Sequence, residues 1–170
     1  MPEAHDVGPF VLDHRVSDER EDLITSQLIA FNQAHTTAQL SGQHEPLPLH
    51  LYALDRTGTL RGGLVGRTHA IPYWCEISTI WVDEQVRHHG VGRWLMLGAE
   101  REAWQRGCRY ARVATSNFQA PGFYDQLGYA LYGRLENCPP GETVYYFWKE
   151  ITAVAGVAAL APDAPTNDHG

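Results

Sequence analysis

The segment 86–100, VRHHGVGRWLMLGAE, combines glycine, histidine and arginine between a predicted strand and a predicted helix. This combination could bind phosphate, bind a metal or form a turn. A dinucleotide-binding turn would need a third glycine where Leu95 stands, and a nucleotide P-loop would need Lys and Ser or Thr after Gly92, where Arg93 and Trp94 stand. A metal site is disfavoured because adjacent histidines do not face one way on a helix, and no further ligands lie at suitable spacing.

The remaining chemical interpretation of this segment is an anion site at the start of a helix. Backbone N–H groups at a helix N-terminus lack partners and lie at the positive end of the helix dipole. Gly90 and Gly92 would let a ligand approach the backbone closely, and Arg87 and Arg93 flank them. A pyrophosphate suits such a place. A plain strand-to-helix turn has the same spacing, so the segment alone does not decide between the two.

Two segments, VDEQVRHHGVGRWL and the later NFQAPGFYDQLGY, together resemble the motifs of the GNAT superfamily of acetyl-coenzyme A dependent N-acetyltransferases. The resemblance covers roughly residues 10–150. It implies an α+β fold with a central mixed, mostly antiparallel sheet, a splayed parallel strand pair and helices on both faces. A narrower similarity, in QAPGFYDQLGY and LENCPPGE, is to small bacterial acetyltransferases that include members acting on aminoglycoside antibiotics.

The resemblance also implies which residues hold acetyl-coenzyme A. The R-x-x-G-x-G spacing would form the pyrophosphate loop, and backbone groups at the end of the preceding strand would contact the pantetheine and the thioester. An asparagine would hydrogen-bond the pantetheine amide, and a phenylalanine would pack beside it. The residues concerned are Trp81, Val82, Arg87, His88, His89, Gly90, Val91, Gly92, Arg93, Asn117 and Phe123. No metal is expected.

Tyr124 and Glu76 are the candidate catalytic residues. Tyr124 occupies the place of the family's usual general acid and would protonate the departing thiolate, with a core aromatic as the alternative role. An amine acceptor arrives mostly as ammonium and must lose a proton before it attacks the thioester. Glu76 is charged in an otherwise apolar strand, and its placement is similar to that of the base glutamate in histone-modifying members. It could instead bind the cationic acceptor, face solvent at an edge, or pair with a nearby arginine.

The expected reaction is direct transfer, in which a backbone N–H near Val82 stabilises the developing oxyanion. Cys75 offers an alternative ping-pong route through an acyl-cysteine. Alternation along a strand points Cys75 and Glu76 to opposite faces, so both cannot face the acetyl group unless a bulge intervenes. A buried structural cysteine is the favoured interpretation.

The acceptor would be chosen by the first helix, the loop over 35–48 and the closing strands, where no motif is recognisable. Phe31 and His35, together with Glu76, are the candidate substrate-binding residues. We expect a primary amine on a small cationic molecule, with aminoglycoside-type antibiotics ahead of polyamines and peptides. A non-catalytic acyl-coenzyme A binding module is the alternative, and it would need neither Glu76 nor Tyr124.

Periodicity predicts the elements that carry these residues. Apolar residues at helical spacing predict one helix over 17–34, capped by Ser17, and another over 92–107, ended by Gly107. A short helix is expected within 117–128. Strands are predicted as a pair within 49–74 around a turn at 55–58, and then over 74–82, 108–115, 130–136 and 142–151. Strand, helix and strand over 74–115 imply a parallel pair.

Length and composition restrict the class of protein. The chain has 170 residues, 44% of them hydrophobic, which suits one packed domain over 1–150 followed by a mobile Ala/Pro-rich tail over 151–170. No secretory signal or membrane span is recognisable, and three widely spaced cysteines fit a reducing compartment, so a cytoplasmic location is expected. A formal net charge of -7 disfavours nucleic acid and anionic membranes as partners. A homodimer is left open.

Overall fold

The computed structural model of the protein describes residues 12–36, 45–70 and 73–153. The chain divides into two compact units, residues 1–41 and residues 42–170. The first unit contains helix α1 (Asp18–His35). The Ser17 hydroxyl accepts a hydrogen bond from the Arg20 N–H at 3.3 Å, which satisfies one of the unpaired donors of the first turn. The predicted first helix and its cap are confirmed.

Two sequence predictions fall wholly or partly outside these residues. Of the predicted tail, only 151–153 is described, and of the loop predicted over 35–48, residues 37–44 lie outside the described part of the chain. The assignment of 1–150 as one domain stays a prediction.

The described residues of the second unit form six strands, two helices and one 3₁₀ turn. Their order is β1 (Leu47–Leu54), β2 (Leu60–His69), β3 (Trp74–Val82), the 3₁₀ turn Glu84–Val86, α2 (Val91–Gln105), β4 (Tyr110–Ser116), α3 (Pro121–Gln126), β5 (Ala130–Glu136) and β6 (Thr143–Glu150). Each element predicted from the sequence is present, with boundaries shifted by at most two residues. Helix α2 ends where Gly107 adopts a φ of 93°, a backbone conformation that glycine adopts without strain.

The strands form one mixed sheet in the order β1-β2-β3-β4-β6-β5. All neighbours are antiparallel except β3 and β4, which are parallel and are connected by α2. The parallel pairing runs only from Trp74 opposite Tyr110 to Ile77 opposite Val113, although β3 continues to Val82 and β4 to Ser116. The two strands therefore part after Ile77, which confirms the predicted splayed parallel pair.

A β-bulge lies at the point where the strands part. Val65 of β2 pairs with Thr79, but the next residue, Gly66, pairs with Ile77, so Ser78 is an extra residue in β3. A Cβ atom at Gly66 would lie only 2.5 Å from the Glu76 carbonyl oxygen, so the two backbones approach here as closely as glycine alone permits.

Helix α2 packs across β1, β2 and β3 and buries one face against the sheet. Leu95, Met96, Ala99 and Ala103 on this face are at most 1% exposed. Burial of a side chain the size of leucine contributes roughly 1.5–3 kcal/mol, so this packing fixes the position of the helix start relative to the end of β3.

Candidate active site

A cleft of about 230 Å³ lies between β3 and β4 where the two strands part. One wall is the bulged part of β3, the other is the second half of β4, and residues leading into α3 complete the lining. Beyond Ile77 and Val113, β3 and β4 no longer pair with each other, so backbone groups of both strands are available to a ligand. The lining residues are Ser78, Thr79, Ile80, Val113, Ala114, Thr115, Gln119, Ala120, Phe123 and Tyr124.

The start of α2 is built to receive an anion. Gly90 is the N-cap residue in the left-handed conformation, with a φ of 82°, and no side chain caps the helix. The first helical hydrogen bond runs from the Trp94 N–H to the Gly90 carbonyl at 2.9 Å. The N–H groups of the three residues over 91–93 therefore lack an acceptor within the helix, and no acidic residue stands in its first turn. This is the position that the sequence assigned to a pyrophosphate.

The turn that precedes α2 is held by its own side chains. Asp83 caps the 3₁₀ turn by accepting from the Gln85 N–H at 2.9 Å. The Arg87 guanidinium donates to the Val82 carbonyl at 3.1 Å and to the Glu84 carboxylate at 3.3 Å. The Arg87 side chain therefore stabilises the turn, and its place beside the anion stays a prediction.

Arg93 and the two histidines of this turn differ in their partners. Arg93 is exposed and has no ion pair within the described part of the chain, so its charge is available to a phosphate. The His89 ring nitrogen Nδ1 donates to the Arg87 carbonyl oxygen at 2.9 Å, and His88 holds a φ of 66°. His88, His89 and Arg93 thus lie around the helix start, and their contact with the coenzyme stays a prediction.

Trp81 and Val82 lie just beyond the part of β3 that lines the cleft. Trp81 is 48% exposed, and the Val82 carbonyl already accepts from Arg87. The β3 residues in the lining are Ser78 to Ile80. Their exposure to the cleft follows from the bulge, which a sequence pattern does not reveal.

Phe123 and Asn117 connect α3 and the end of β4 to the site. A Cβ atom at Gly92 would lie 3.3 Å from the Phe123 ring, so the glycine lets α3 pack closely against the start of α2. The Asn117 side-chain oxygen accepts from the Thr143 N–H at 3.0 Å, and the Asn117 N–H donates to the Thr143 carbonyl at 2.9 Å. Asn117 therefore joins the end of β4 to the start of β6, and its side-chain NH₂ remains available to a ligand.

Tyr124 lies in the wall of the cleft and is only 5% exposed. Its ring contacts the rings of Phe123, Tyr129 and Phe147 at centroid distances of 5.3, 6.0 and 5.7 Å. Burial raises the pKa of Tyr124 above its ordinary value of 10.0, because a buried phenolate loses its hydration. The phenol therefore stays protonated at neutral pH.

Glu76 lies outside the cleft lining, on the face of β3 opposite the buried Cys75. Its Oε2 atom accepts from Arg112 at 3.0 Å and lies 3.6 Å from the His69 ring nitrogen Nε2. The Arg112 guanidinium in turn stacks over the Trp74 ring at 3.8 Å. A pair with a nearby arginine was one of the roles considered for Glu76, and the roles of base and of cation-binding carboxylate stay predictions.

Cys75 is fully buried, and burial raises the pKa of its thiol to about 12. The bulge lies at Ser78, after both Cys75 and Glu76, so it does not bring the two side chains to one face. A buried thiol with so high a pKa is a poor nucleophile, which favours the structural role for Cys75.

Several polar residues of the cleft were not singled out in the sequence. The Gln119 side-chain oxygen accepts from the Thr115 hydroxyl and from the Ser116 N–H, each at 2.9 Å. Since a backbone N–H can only donate, these bonds fix the orientation of the carboxamide. Serine and threonine at 78 and 79 make this part of β3 polar within an aromatic and β-branched strand, but they do not indicate the bulge.

Phe31 and His35 lie on α1, in the first unit of the chain. Their rings stack with centroids 4.0 Å apart, and the His35 ring nitrogen Nδ1 donates to the Phe31 carbonyl at 2.8 Å. A role for either residue in acceptor binding stays a prediction. No described group of three or more His, Cys, Asp and Glu side chains could hold a metal ion. No helix over the described ranges is long and apolar enough to cross a membrane.

The arrangement fits a thioester coenzyme that carries phosphate groups. The uncapped start of α2 offers N–H groups to a pyrophosphate, and nothing lies within 4 Å of the place where a Cβ atom of Gly90 would stand. The cleft between β3 and β4 offers unpaired backbone to an extended amide-containing arm. Tyr124 lines the same cleft, and its role as the proton donor stays a prediction.

Comparison with known proteins agrees with this chemistry. The sequence profile of the Acetyltransferase (GNAT) family matches residues 13–129. Blasticidin-S acetyltransferase from Streptomyces morookaense is 40% identical over 111 residues, which is 63% of this chain and 80% of that protein. The chain therefore belongs to the GNAT family and is an acetyl-coenzyme A dependent N-acetyltransferase.

Solved structures share the fold. An acetyltransferase from Bacillus cereus has a TM-score of 0.68 and 29% identity, covering 82% of this chain and 97% of that one. Nourseothricin acetyltransferase has a TM-score of 0.56 and 26% identity, covering 61% and 65% respectively. The fold of this chain is thus similar to that of both acetyltransferases.

Proposed function

We propose that the enzyme moves the acetyl group of acetyl-coenzyme A directly to a primary amine on a small cationic antibiotic. The observation that carries the direct-transfer part is the cleft where β3 and β4 part, with the protonated Tyr124 in its wall. Similarity to the blasticidin-S and nourseothricin acetyltransferases supports an antibiotic acceptor. The aminoglycoside type is the narrower expectation from sequence, and blasticidin S is the first compound to test beside it.

The coenzyme would be held by groups already placed around the cleft. Its pyrophosphate would bind the N–H groups over 91–93, with the Arg93 side chain as a further cation. The Asn117 NH₂ group would donate to an amide carbonyl of the pantetheine arm, and Phe123 would pack beside that arm. Phe123 both lies beside Gly92 at the start of α2 and lines the cleft, so these contacts would direct the thioester towards Tyr124.

Tyr124 would protonate the thiolate as it leaves. The reference pKa of a thiol is about 8.5, which is below that of a buried phenol. Proton transfer from Tyr124 to the sulfur therefore depends on the proton moving as the carbon–sulfur bond breaks. The apolar rings around Tyr124 exclude water from the donor, which strengthens its hydrogen bond to the developing negative charge.

Two roles are assigned to Glu76 as alternatives: it removes the proton of the acceptor ammonium through water, or it binds the ammonium electrostatically. None of the residues that line the described cleft carries a carboxylate. Glu76 is 37% exposed at its side chain, and only its Oε2 atom is engaged by Arg112. Its second oxygen is therefore left to bind water or the cation.

The setting we propose is a single domain over 1–150 in the cytoplasm, acting on a small molecule. The net charge of -7 favours a cationic acceptor over nucleic acid or anionic lipid. A homodimer is compatible with this function and is not needed by it.

An acceptor panel tests the proposal. The purified protein is incubated with acetyl-coenzyme A and, separately, with blasticidin S, several aminoglycosides, polyamines and peptide amines, and thiol release is followed. The expected result is turnover with one antibiotic class, with mass spectrometry showing a single added acetyl group on its amine. Turnover with peptides or polyamines alone would refute the antibiotic acceptor and leave acetyl transfer intact.

A further inference from the structure

Arg61 of β2 joins two chain segments that stand far apart in the sequence. Its Nε atom donates to Asp55 at 2.9 Å, and one terminal nitrogen donates to Asp83 at 2.9 Å and to the Gln85 side-chain oxygen at 3.3 Å. The Arg61 carbonyl also accepts from the Asp83 N–H at 2.8 Å. Arg61 therefore contacts the 83–85 segment through both its side chain and its backbone.

Asp83 transmits this contact to the turn in front of α2. One of its oxygens accepts from Arg61, and the other accepts from the Gln85 N–H, which caps the 3₁₀ turn Glu84–Val86. These two donors hold the pKa of Asp83 below its ordinary value, with the Gln85 N–H as the larger cause. The carboxylate is thus ionised at neutral pH and keeps both bonds.

Asp55 holds Arg61 from the other side. Its carboxylate accepts from the Thr57 N–H and the Thr59 N–H at 2.9 and 3.0 Å, which fixes it in the β1–β2 turn. Asp55 therefore leaves the guanidinium little freedom. A carboxylate on each side of Arg61 makes it the link between the β1–β2 turn and the 83–85 segment.

We propose that Arg61 is a positioning residue for coenzyme binding. By fixing Asp83 and the 3₁₀ turn, it sets where Arg87 and Gly90 lie, and hence where the N–H groups at the start of α2 point. This inference rests on the proposed binding of the pyrophosphate at the start of α2. Arg61 itself touches neither the acetyl group nor the acceptor, so it acts on coenzyme affinity and not on the chemical step.

The test compares Arg61→Gln with a matched control, Arg134→Gln. Arg134 also forms an ion pair, with Glu136 on β5, but both side chains are about two-thirds exposed and lie outside the site. Arg61→Gln should raise the KM for acetyl-coenzyme A roughly 5- to 20-fold, because charged hydrogen bonds that are one-third exposed are lost. Its kcat at saturating coenzyme should stay within about two-fold, since no group in the cleft changes. Arg134→Gln should leave the KM for acetyl-coenzyme A unchanged.

A double-mutant cycle with Asp83→Asn separates positioning from general destabilisation. If Arg61 acts through Asp83, the two single changes should each weaken coenzyme binding, and the double variant should be little worse than either one. Fully additive losses, or a fall in kcat with unchanged coenzyme KM in a folded Arg61→Gln protein, would overturn the inference. Arg61→Lys keeps the charge but lacks the planar guanidinium with its several N–H donors. Its KM for acetyl-coenzyme A should lie between those of the wild type and Arg61→Gln. The Gly90 variants described below test the coenzyme site itself, independently of Arg61.

Discussion

Replacement of Gly90 by valine should weaken coenzyme binding much more than it alters the fold. Gly90 has a φ of 82°, and a β-branched residue held there costs roughly 1–2 kcal/mol. If the turn relaxes to remove this strain, the N–H groups over 91–93 rotate away from the pyrophosphate. Loss of one hydrogen bond to a charged group costs about 1.5–3 kcal/mol, which corresponds to roughly 10- to 150-fold weaker binding of coenzyme A.

Isothermal titration calorimetry with coenzyme A measures this change directly. Gly90→Asn is the matched control, because asparagine tolerates the left-handed conformation and the space around this position is open. It should bind the coenzyme with a smaller loss than Gly90→Val, and thermal unfolding should show both variants folded. Unchanged coenzyme affinity in a folded Gly90→Val protein would refute the placement of the pyrophosphate at the start of α2.

Four further predictions concern the cleft and the strand beside it. Tyr124→Phe should keep coenzyme affinity and lower turnover by about 10²- to 10⁴-fold in steady-state assays, whereas full activity would assign the acid role elsewhere. The rate should rise with pH as the acceptor amine deprotonates. Because burial raises the pKa of Tyr124 above 10.0, ionisation of Tyr124 should cause no loss of rate below pH 10.0. A fall in rate at a lower pH would contradict the burial argument. If Glu76 is a base, Glu76→Gln should lower kcat at neutral pH, and the loss should shrink as the pH approaches the acceptor's own pKa. If Glu76 binds the cationic acceptor, the same change should instead raise the acceptor KM, and this KM should be sensitive to salt. Cys75→Ala should keep turnover within about two-fold of the wild type, since a fully buried thiol carries no acyl group, and loss of all turnover in a folded variant would revive the acyl-cysteine route.

Elements with a strong hydrophobic period could be predicted from the sequence. In α2, the apolar spacing around Leu95 and the glycine at Gly107 define a helix and its end, and the structure shifts its boundaries by only one or two residues. The parallel pairing of β3 and β4 follows from the strand-helix-strand order, because a crossover helix returns the chain in the same direction.

The bulge at Ser78 could not be predicted, because it depends on how β3 pairs with β2. Gly66 allows the Glu76 backbone to approach, and that contact joins residues that no local pattern relates. As a result, the β3 residues that line the cleft precede Trp81 and Val82, to which the resemblance assigned the thioester contacts. Local residue propensities do not predict this displacement of the cleft lining along β3.

Ion pairs between strands could not be predicted from the sequence either. Glu76 stands opposite Arg112 in the parallel register, and this register places the carboxylate and the guanidinium 3.0 Å apart. Arg61 and Asp83 meet only because β2 returns beside β3. The spacing within each of the two motifs located the turn before α2 and, separately, Tyr124. Contacts between distant segments could be predicted only with the pairing of the strands known.

The central claim is that the cleft between β3 and β4 holds the thioester end of the coenzyme beside Tyr124. A crystal structure of the protein with coenzyme A measures this directly, as the distance from the Tyr124 hydroxyl oxygen to the coenzyme sulfur. We expect about 3–4 Å, with the pyrophosphate on the N–H groups at the start of α2. A sulfur atom outside the cleft, or a pyrophosphate bound away from residues 87–93, would contradict it.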